Sequence, residues 1–149
     1  MFSSREPMTA TPDEIAVAAA NLAFYRALES REIEAMELVW LRDESASCVH
    51  PGWHRLDGWS EIRRSWESIF ANSRAWTVSC EDERISVVGD IACVRCVEVI
   101  LPFGADGLES AARMQATNLF VRRNRHWQMV HHHASPSPGE PAPSAQPVN

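Results

Sequence analysis

The chain has 149 residues, a length typical of a single domain that buries about two thirds of its unfolded surface. Its 20 acidic residues outnumber 14 basic ones, and the formal net charge of −6 disfavours nucleic acid or an anionic membrane as the main partner. All basic residues are arginine, which excludes lysine Schiff-base chemistry. Without an apolar leader or a run of 18 apolar residues, we expect a cytoplasmic protein that binds a small-molecule ligand.

Three helices are predicted in the first half of the chain. The first begins at Thr11-Pro12-Asp13-Glu14, which supplies an N-cap, a proline at N1 and first-turn acids, and it runs to about Glu29. Its predicted apolar face holds Ile15, Ala19, Leu22, Tyr25 or Arg26, and Leu28 or Glu29. The second covers about residues 32–41, with an apolar side of Ile33, Met36, Val39 and Trp40. The third covers residues 60–70 and buries Ile62, Trp66, Ile69 and Phe70.

From Trp76 onward the pattern becomes that of β-strands joined by turns. Strands are predicted over residues 76–88, 91–101, 110–123 and 126–134, with turns at Gly89-Asp90 and Asn124-Arg125. Helices followed by an antiparallel meander predict an α+β fold in which three N-terminal helices pack on a strongly curved antiparallel sheet. We assign residues 1–10 to a flexible N-terminus, 11–135 to the folded domain and 136–149 to a Pro-rich disordered tail.

The predicted strand 91–101 is apolar on both faces, apart from Arg95 and Glu98. One face packs on the helices, so the other needs a second cover, and a homodimer formed through the sheet would supply it. The same strand contains Cys93 and Cys96, which point to opposite faces at this spacing. We therefore interpret them as core thiols and not as a redox or zinc motif.

Three stretches give the chain a family resemblance: residues 24–28 (FYRAL) with 32–36 (EIEAM), residues 58–62 (GWSEI), and residues 117–120 (TNLF) with 127–135 (WQMVHHHAS). They resemble the SnoaL-like branch of the nuclear transport factor two-like superfamily, which includes ketosteroid isomerases and the association domain of calcium/calmodulin-dependent kinase II. The resemblance covers about residues 13–135. It implies a cystatin-like, cone-shaped α+β barrel that encloses a pocket and dimerises through its sheet.

Three residues are candidates for catalysis. His50, before Pro51, resembles the position where ketosteroid isomerases carry an Asp-Pro, and an imidazole there is expected to titrate near neutral pH. Glu98 shares its strand face with apolar residues, where a carboxyl group is costly unless it is used. His132 is placed inward by the resemblance, together with Val130 and Ala134. Strand alternation instead favours Trp127, Met129, His131 and His133 on the apolar face.

Five further residues are predicted to bind substrate. Asn118 lies among apolar neighbours, and it matches a pocket arginine of the kinase association domain, as Glu98 also does. Its neutral amide would orient a carbonyl or hydroxyl group. The aromatic and loop positions expected to line the pocket are Tyr25, Trp53, His54 and Trp66.

These residues favour a small-molecule enzyme, an isomerase, cyclase or dehydratase, that transfers protons in an apolar pocket without an organic cofactor. A non-catalytic ligand-binding or oligomerising module like the kinase association domain is the alternative. A third reading is a metal-dependent enzyme, since His50, His54, His132 and Glu98 are ligand types of zinc, iron or nickel. No compact HxH or HExxH spacing supports this third reading, so no metal is expected.

Overall fold

The computed structural model describes residues 9–105, 107 and 110–139. Most of the predicted flexible N-terminus and Pro-rich tail lies outside these residues. The helices are α1 (Pro12–Ser30), α2 (Ile33–Val39) and α3 (Trp59–Asn72). The strands are β1 (Ser47–Val49), β2 (Leu56–Asp57), β3 (Trp76–Val88), β4 (Ile91–Pro102), β5 (Ala112–Arg123) and β6 (His126–Pro136).

Helix α1 begins as predicted, because the Thr11 side chain accepts a hydrogen bond from the Glu14 amide. Its buried face agrees with the prediction at Tyr25 and Leu28 but not at Ile15, Ala19 and Leu22. Ile15 and Leu22 are 60% and 50% exposed, and the buried residues are Val17, Asn21, Phe24, Tyr25, Ala27 and Leu28. Alanine lies on every side of this helix, so the apolar periodicity fits two orientations. The bulky Phe24 and Tyr25 select the observed one.

The other two helices bury the predicted sides. Met36, Val39 and Trp40 are buried in and after α2, with Ile33 packed against the core. In α3, Ile62, Trp66 and Phe70 are buried and Ile69 is partly buried.

The six strands form one sheet in the order β2-β1-β6-β5-β4-β3, and the predicted α+β class is confirmed. Four long strands form the predicted antiparallel meander. The short strand β1 pairs in parallel with β6, which makes the sheet mixed and not wholly antiparallel. β2 is an additional edge strand that sequence patterning did not predict. The helices cover one face, and the core lies between that face and α1, α2 and α3.

A β-bulge in β6 determines which of its side chains point inward. Leu119 pairs with His131 but Phe120 pairs with Met129, so Val130 is an extra residue on β6. Because the bulge shifts the alternation, Met129, His132 and Ala134 are all buried, whereas Val130 is only partly buried. The inward placement of His132 agrees with the resemblance and that of Met129 agrees with alternation. The resemblance is wrong at Val130, before the bulge ends, and alternation is wrong at His131 and His133, after it.

Candidate active-site cavity

A cavity of about 390 Å³ opens between α3, the segment after β1, and the inner face of the sheet. It brings together His50, Glu98 and His132, which lie at least 34 residues from each other along the chain. The apolar walls are Leu28, Pro51, Trp53, Trp66, Ile69, Trp76, Ile100 and Met114. The polar side chains in the same lining are Ser68, Asn72 and Ser73. Three titratable groups thus share one largely apolar space.

His50 follows strand β1 and is buried against two tryptophans, with its ring edge-on to Trp53 and Trp66 at centroid distances of 4.8 and 4.5 Å. Its Nε2 lies 2.8 Å from Ser65 Oγ, and that hydroxyl donates to the Ile62 carbonyl at 2.6 Å. Since the Ser65 proton is already used, His50 Nε2 carries a proton and donates. Burial lowers the pKa of His50 to about 3, which differs from the expected titration near neutral pH.

Glu98 lies on the inner face of β4 and is 2% exposed. Its Oε2 is 3.8 Å from His132 Nε2, beyond hydrogen-bonding distance, and has no partner among the described residues. Burial raises the pKa of Glu98 to about 7, and a hydrogen bond from Tyr25 partly opposes the shift. Burial and the neighbouring His50 lower the pKa of His132. Glu98 therefore changes its protonation state close to neutral pH while both imidazoles stay neutral.

Asn118 and Tyr25 lie behind the cavity and not in its lining. Both are buried, and Asn118 Oδ1 is 2.6 Å from His132 Nδ1. The Asn118 amide nitrogen is 3.0 Å from Tyr25 Oη and 2.9 Å from Asn21 Oδ1. Tyr25 Oη is in turn 3.2 Å from Cys96 Sγ. These two predicted substrate-binding residues thus contact side chains of the protein in this structure.

Of the three remaining residues predicted to bind substrate, two line the cavity and one does not. Trp53 and Trp66 line the cavity, and Trp66 Nε1 is a buried donor without a partner among the described atoms. His54 lies on the exposed part of that loop, outside the lining.

Sequence reasoning missed Asn21, the partner of Asn118, and Ser65, the partner of His50. Asn21 shares a face with Val17, Phe24 and Leu28, so it is recognisable as a buried amide only once the orientation of α1 is known. Ser65 precedes Trp66 on α3, and the spacing Ile62–Ser65–Trp66 already places it on the buried side.

Within residues 9–105, 107 and 110–139, no group of three or more His, Cys, Asp or Glu side chains is placed to hold a metal ion. All four cysteines are free thiols, and Cys96 is buried whereas Cys93 is partly exposed on the other face of β4. None of the described helices is long and apolar enough to cross a membrane.

The family model described as the SnoaL-like domain matches residues 17–138. A Streptomyces avermitilis protein, proposed to be a dehydratase of the NTF2-like family, is 36% identical, with 87% of this chain and 100% of that one covered and a TM-score of 0.76. A Thiobacillus denitrificans protein, proposed to be a calcium/calmodulin-dependent protein kinase type II association domain, is 30% identical, with 89% and 99% covered and a TM-score of 0.75.

The F-box protein SKIP8 of Arabidopsis thaliana is 27% identical over 120 residues, which are 80% of this chain and 49% of that protein. The chain therefore spans about half the length of this curated relative. The family match extends over most of the described domain and includes every element that lines the cavity. The chain belongs to the SnoaL-like domain family.

Proposed function

We propose that the cavity binds a neutral, mostly apolar small molecule and catalyses proton transfer next to a carbonyl group, as an isomerase, cyclase or dehydratase. The observation that carries this proposal is Glu98, a carboxyl group that is buried, lines the cavity and has a pKa of about 7. A general base works best when its pKa lies near the operating pH. Similarity to the Streptomyces avermitilis protein supports the same reaction class.

The lining favours a neutral ligand over an anion. It contains no arginine, and among its described side chains only Glu98, His50 and His132 titrate. Both imidazoles are neutral, so the charge available near pH 7 is negative. A carboxylate or phosphate ligand would meet this charge without a cation to balance it. Tryptophan, leucine and isoleucine walls instead suit an apolar skeleton.

Proton transfer follows from this arrangement. Ionised Glu98 takes a proton from the carbon next to the carbonyl, and the electron pair of that C–H bond moves to form an enolate. If Glu98 returns the proton to another carbon, the product is an isomer. If it passes the proton to a departing β-hydroxyl, water leaves and a C=C bond remains. Trp66 Nε1, which lacks a partner among the described atoms, is the donor we assign to the ligand oxygen.

Hydrogen–deuterium exchange tests the proposal. The wild-type protein is incubated in D₂O with neutral ketones that fit a cavity of about 390 Å³, 2-tetralone among them, and loss of the α-proton signal is followed by NMR. We expect exchange above the buffer rate that increases with pH up to about 7, because the carboxylate form acts. The exchange rate of Glu98→Gln should be lower than that of wild type by about 100-fold or more.

The matched control is Glu34→Gln, at an exposed glutamate in α2. It should keep the wild-type exchange rate. Exchange at the buffer rate for the whole panel, or an unchanged rate in Glu98→Gln, would contradict the proposal.

A second candidate function is an oligomerising module, favoured by the 30% identity to the kinase association domain from Thiobacillus denitrificans. We propose a homodimer formed through the outer face of the sheet, where Val97 is partly buried and Ile91 is exposed. Val97→Arg should then give monomers or aggregates in light scattering, whereas an unchanged mass would refute this interface. Val99 is a poorer target because it is already buried within one chain.

A further inference from the structure

A chain of side-chain hydrogen bonds runs from the surface to the cavity. It begins at Glu83, an exposed residue of β3 whose Oε2 is 2.8 Å from Asn21 Nδ2. Asn21 Oδ1 is 2.9 Å from Asn118 Nδ2, and Asn118 Oδ1 is 2.6 Å from His132 Nδ1. Both asparagines are fully buried, so their amides bond to groups of the protein and not to bulk solvent.

The direction of this chain is set by its outer end. The carboxylate of Glu83 has acceptors only, so Asn21 must present its amide nitrogen to Glu83 and its oxygen to Asn118. Asn118 in turn donates through Nδ2 to Asn21 and to Tyr25 Oη. Its oxygen therefore faces His132, and an oxygen acceptor requires a proton on Nδ1 of that imidazole.

We propose that Asn118 is a positioning residue that holds His132 in the Nδ1–H tautomer, so that the Nε2 lone pair faces Glu98. In this neutral tautomer Nε2 can accept a hydrogen bond but has no proton to donate. A protonated Glu98 can direct its O–H toward Nε2, whereas an ionised Glu98 meets a lone pair at 3.8 Å. His132 in this tautomer thus favours the acid form of Glu98, and the carboxylate becomes a stronger base once formed.

Other groups around His132 keep its imidazole neutral. His50 faces it across the cavity, and His131 and His133 flank it on β6, and all three disfavour a positive charge on its ring. From α1, the Phe24 ring packs against the imidazole at a centroid distance of 4.8 Å, while Tyr25 contacts Asn118. Glu98 on β4 is the acidic group that faces it. The imidazole is therefore kept neutral, and its tautomer is the property that Asn118 controls.

Ring nitrogen NMR of uniformly ¹⁵N-labelled protein tests the proposal without a substrate. For wild type we expect His132 Nδ1 to show the shift of a protonated nitrogen and Nε2 that of an unprotonated one. Proton-bearing Nε2, or a ring that averages both forms, would overturn the proposal. This readout does not depend on whether any variant folds.

Two variants at position 118 separate positioning from packing. Asn118→Leu fills a similar volume but offers no acceptor, so the proton should move to Nε2, where it can point at Glu98. Asn118→Asp keeps an acceptor and should retain the Nδ1–H form. Gln115→Leu, at an exposed residue of the same strand, is the matched control and should leave the His132 signals in place. Retention of Nδ1–H in Asn118→Leu would show that Asn118 does not fix the tautomer.

The importance of this tautomer for turnover rests on the proposed function, and the two can fail separately. A wild-type Nδ1–H signal with no ketone exchange would leave the positioning role in place and reject the proposed reaction. Exchange that depends on Glu98, together with an Nε2–H signal, would do the reverse. If both hold, Asn118→Leu should lower kcat with little change in KM, and Asn118→Asp should restore part of the loss.

Discussion

Replacing Glu98 by glutamine should make the protein more stable above neutral pH. In the folded state the pKa of this buried carboxyl is about 7, compared with its ordinary value of 4.5. Between these values the folded protein holds a proton that the unfolded chain releases, so the free energy of unfolding falls as pH rises through this window. At about 1.4 kcal/mol for each pH unit, the total loss is about 3 kcal/mol. Glutamine, a neutral analogue of the protonated acid, does not suffer this loss.

The assay is urea denaturation of wild type and Glu98→Gln at several pH values between 4 and 8. Below pH 4.5 the two proteins should have similar free energies of unfolding, and above pH 7 the variant should be more stable by about 3 kcal/mol. Taking the difference between the two proteins removes the contributions of other titrating groups. Glu34→Gln, at an exposed site, is the control for the loss of one carboxyl group away from the cavity.

A Glu98→Gln difference that stays constant with pH would refute the burial argument. A variant that becomes less stable than wild type above pH 7 would be more informative, because it would mean that ionised Glu98 has a favourable partner. The partner would then be Tyr25, which donates to Glu98, or His132 in its charged form across the 3.8 Å contact.

Two further outcomes test other parts of the structure. His50, with a pKa of about 3, resists protonation when folded, so its contribution is complete above pH 6.5 and is lost as pH falls toward 3. Between pH 7 and pH 4 the free energy of unfolding should therefore fall by about 3 kcal/mol less in His50→Gln than in wild type, as measured by urea denaturation. Equal losses in the two proteins would contradict this. Gly58, the residue before α3, has φ of 85° and ψ of 148°, a region that essentially only glycine adopts. Gly58→Ala should therefore lower the free energy of unfolding by about 1–3 kcal/mol, and no change would show that alanine is unstrained there.

The order and type of the long elements could be predicted from the sequence, because capping, turn residues and periodicity are local signals. The orientation of α1 could not. Its alanines allow a second face, and the packing of Phe24 and Tyr25 against the sheet decides between them. The bulge at Val130 was also beyond prediction, since it depends on the pairing of β6 with β5. Strand β2 has only two residues, too few for a periodic signal.

The candidate site was predictable as a set of residues but not as a set of contacts. His50, Glu98 and His132 stood out by residue type on an apolar background, and the cavity contains all three. Their partners depend on distances between elements. Glu98 faces His132 and not a cation, and the His50 ring is bonded to Ser65 of α3. Asn118 was expected to contact ligand, yet its partners lie on α1 and β6.

The bulge in β6 leaves the segment of three consecutive histidines in a register set by β5 on one side and by β1 on the other. A one-residue slip of a strand normally exchanges the residue types on its two faces. Here a slip in either direction would bring His131 or His133 opposite Asn118 in place of His132. The triplet therefore places an imidazole opposite Asn118 in each of three alignments, whereas the buried Met129 and Ala134 fit only the observed one.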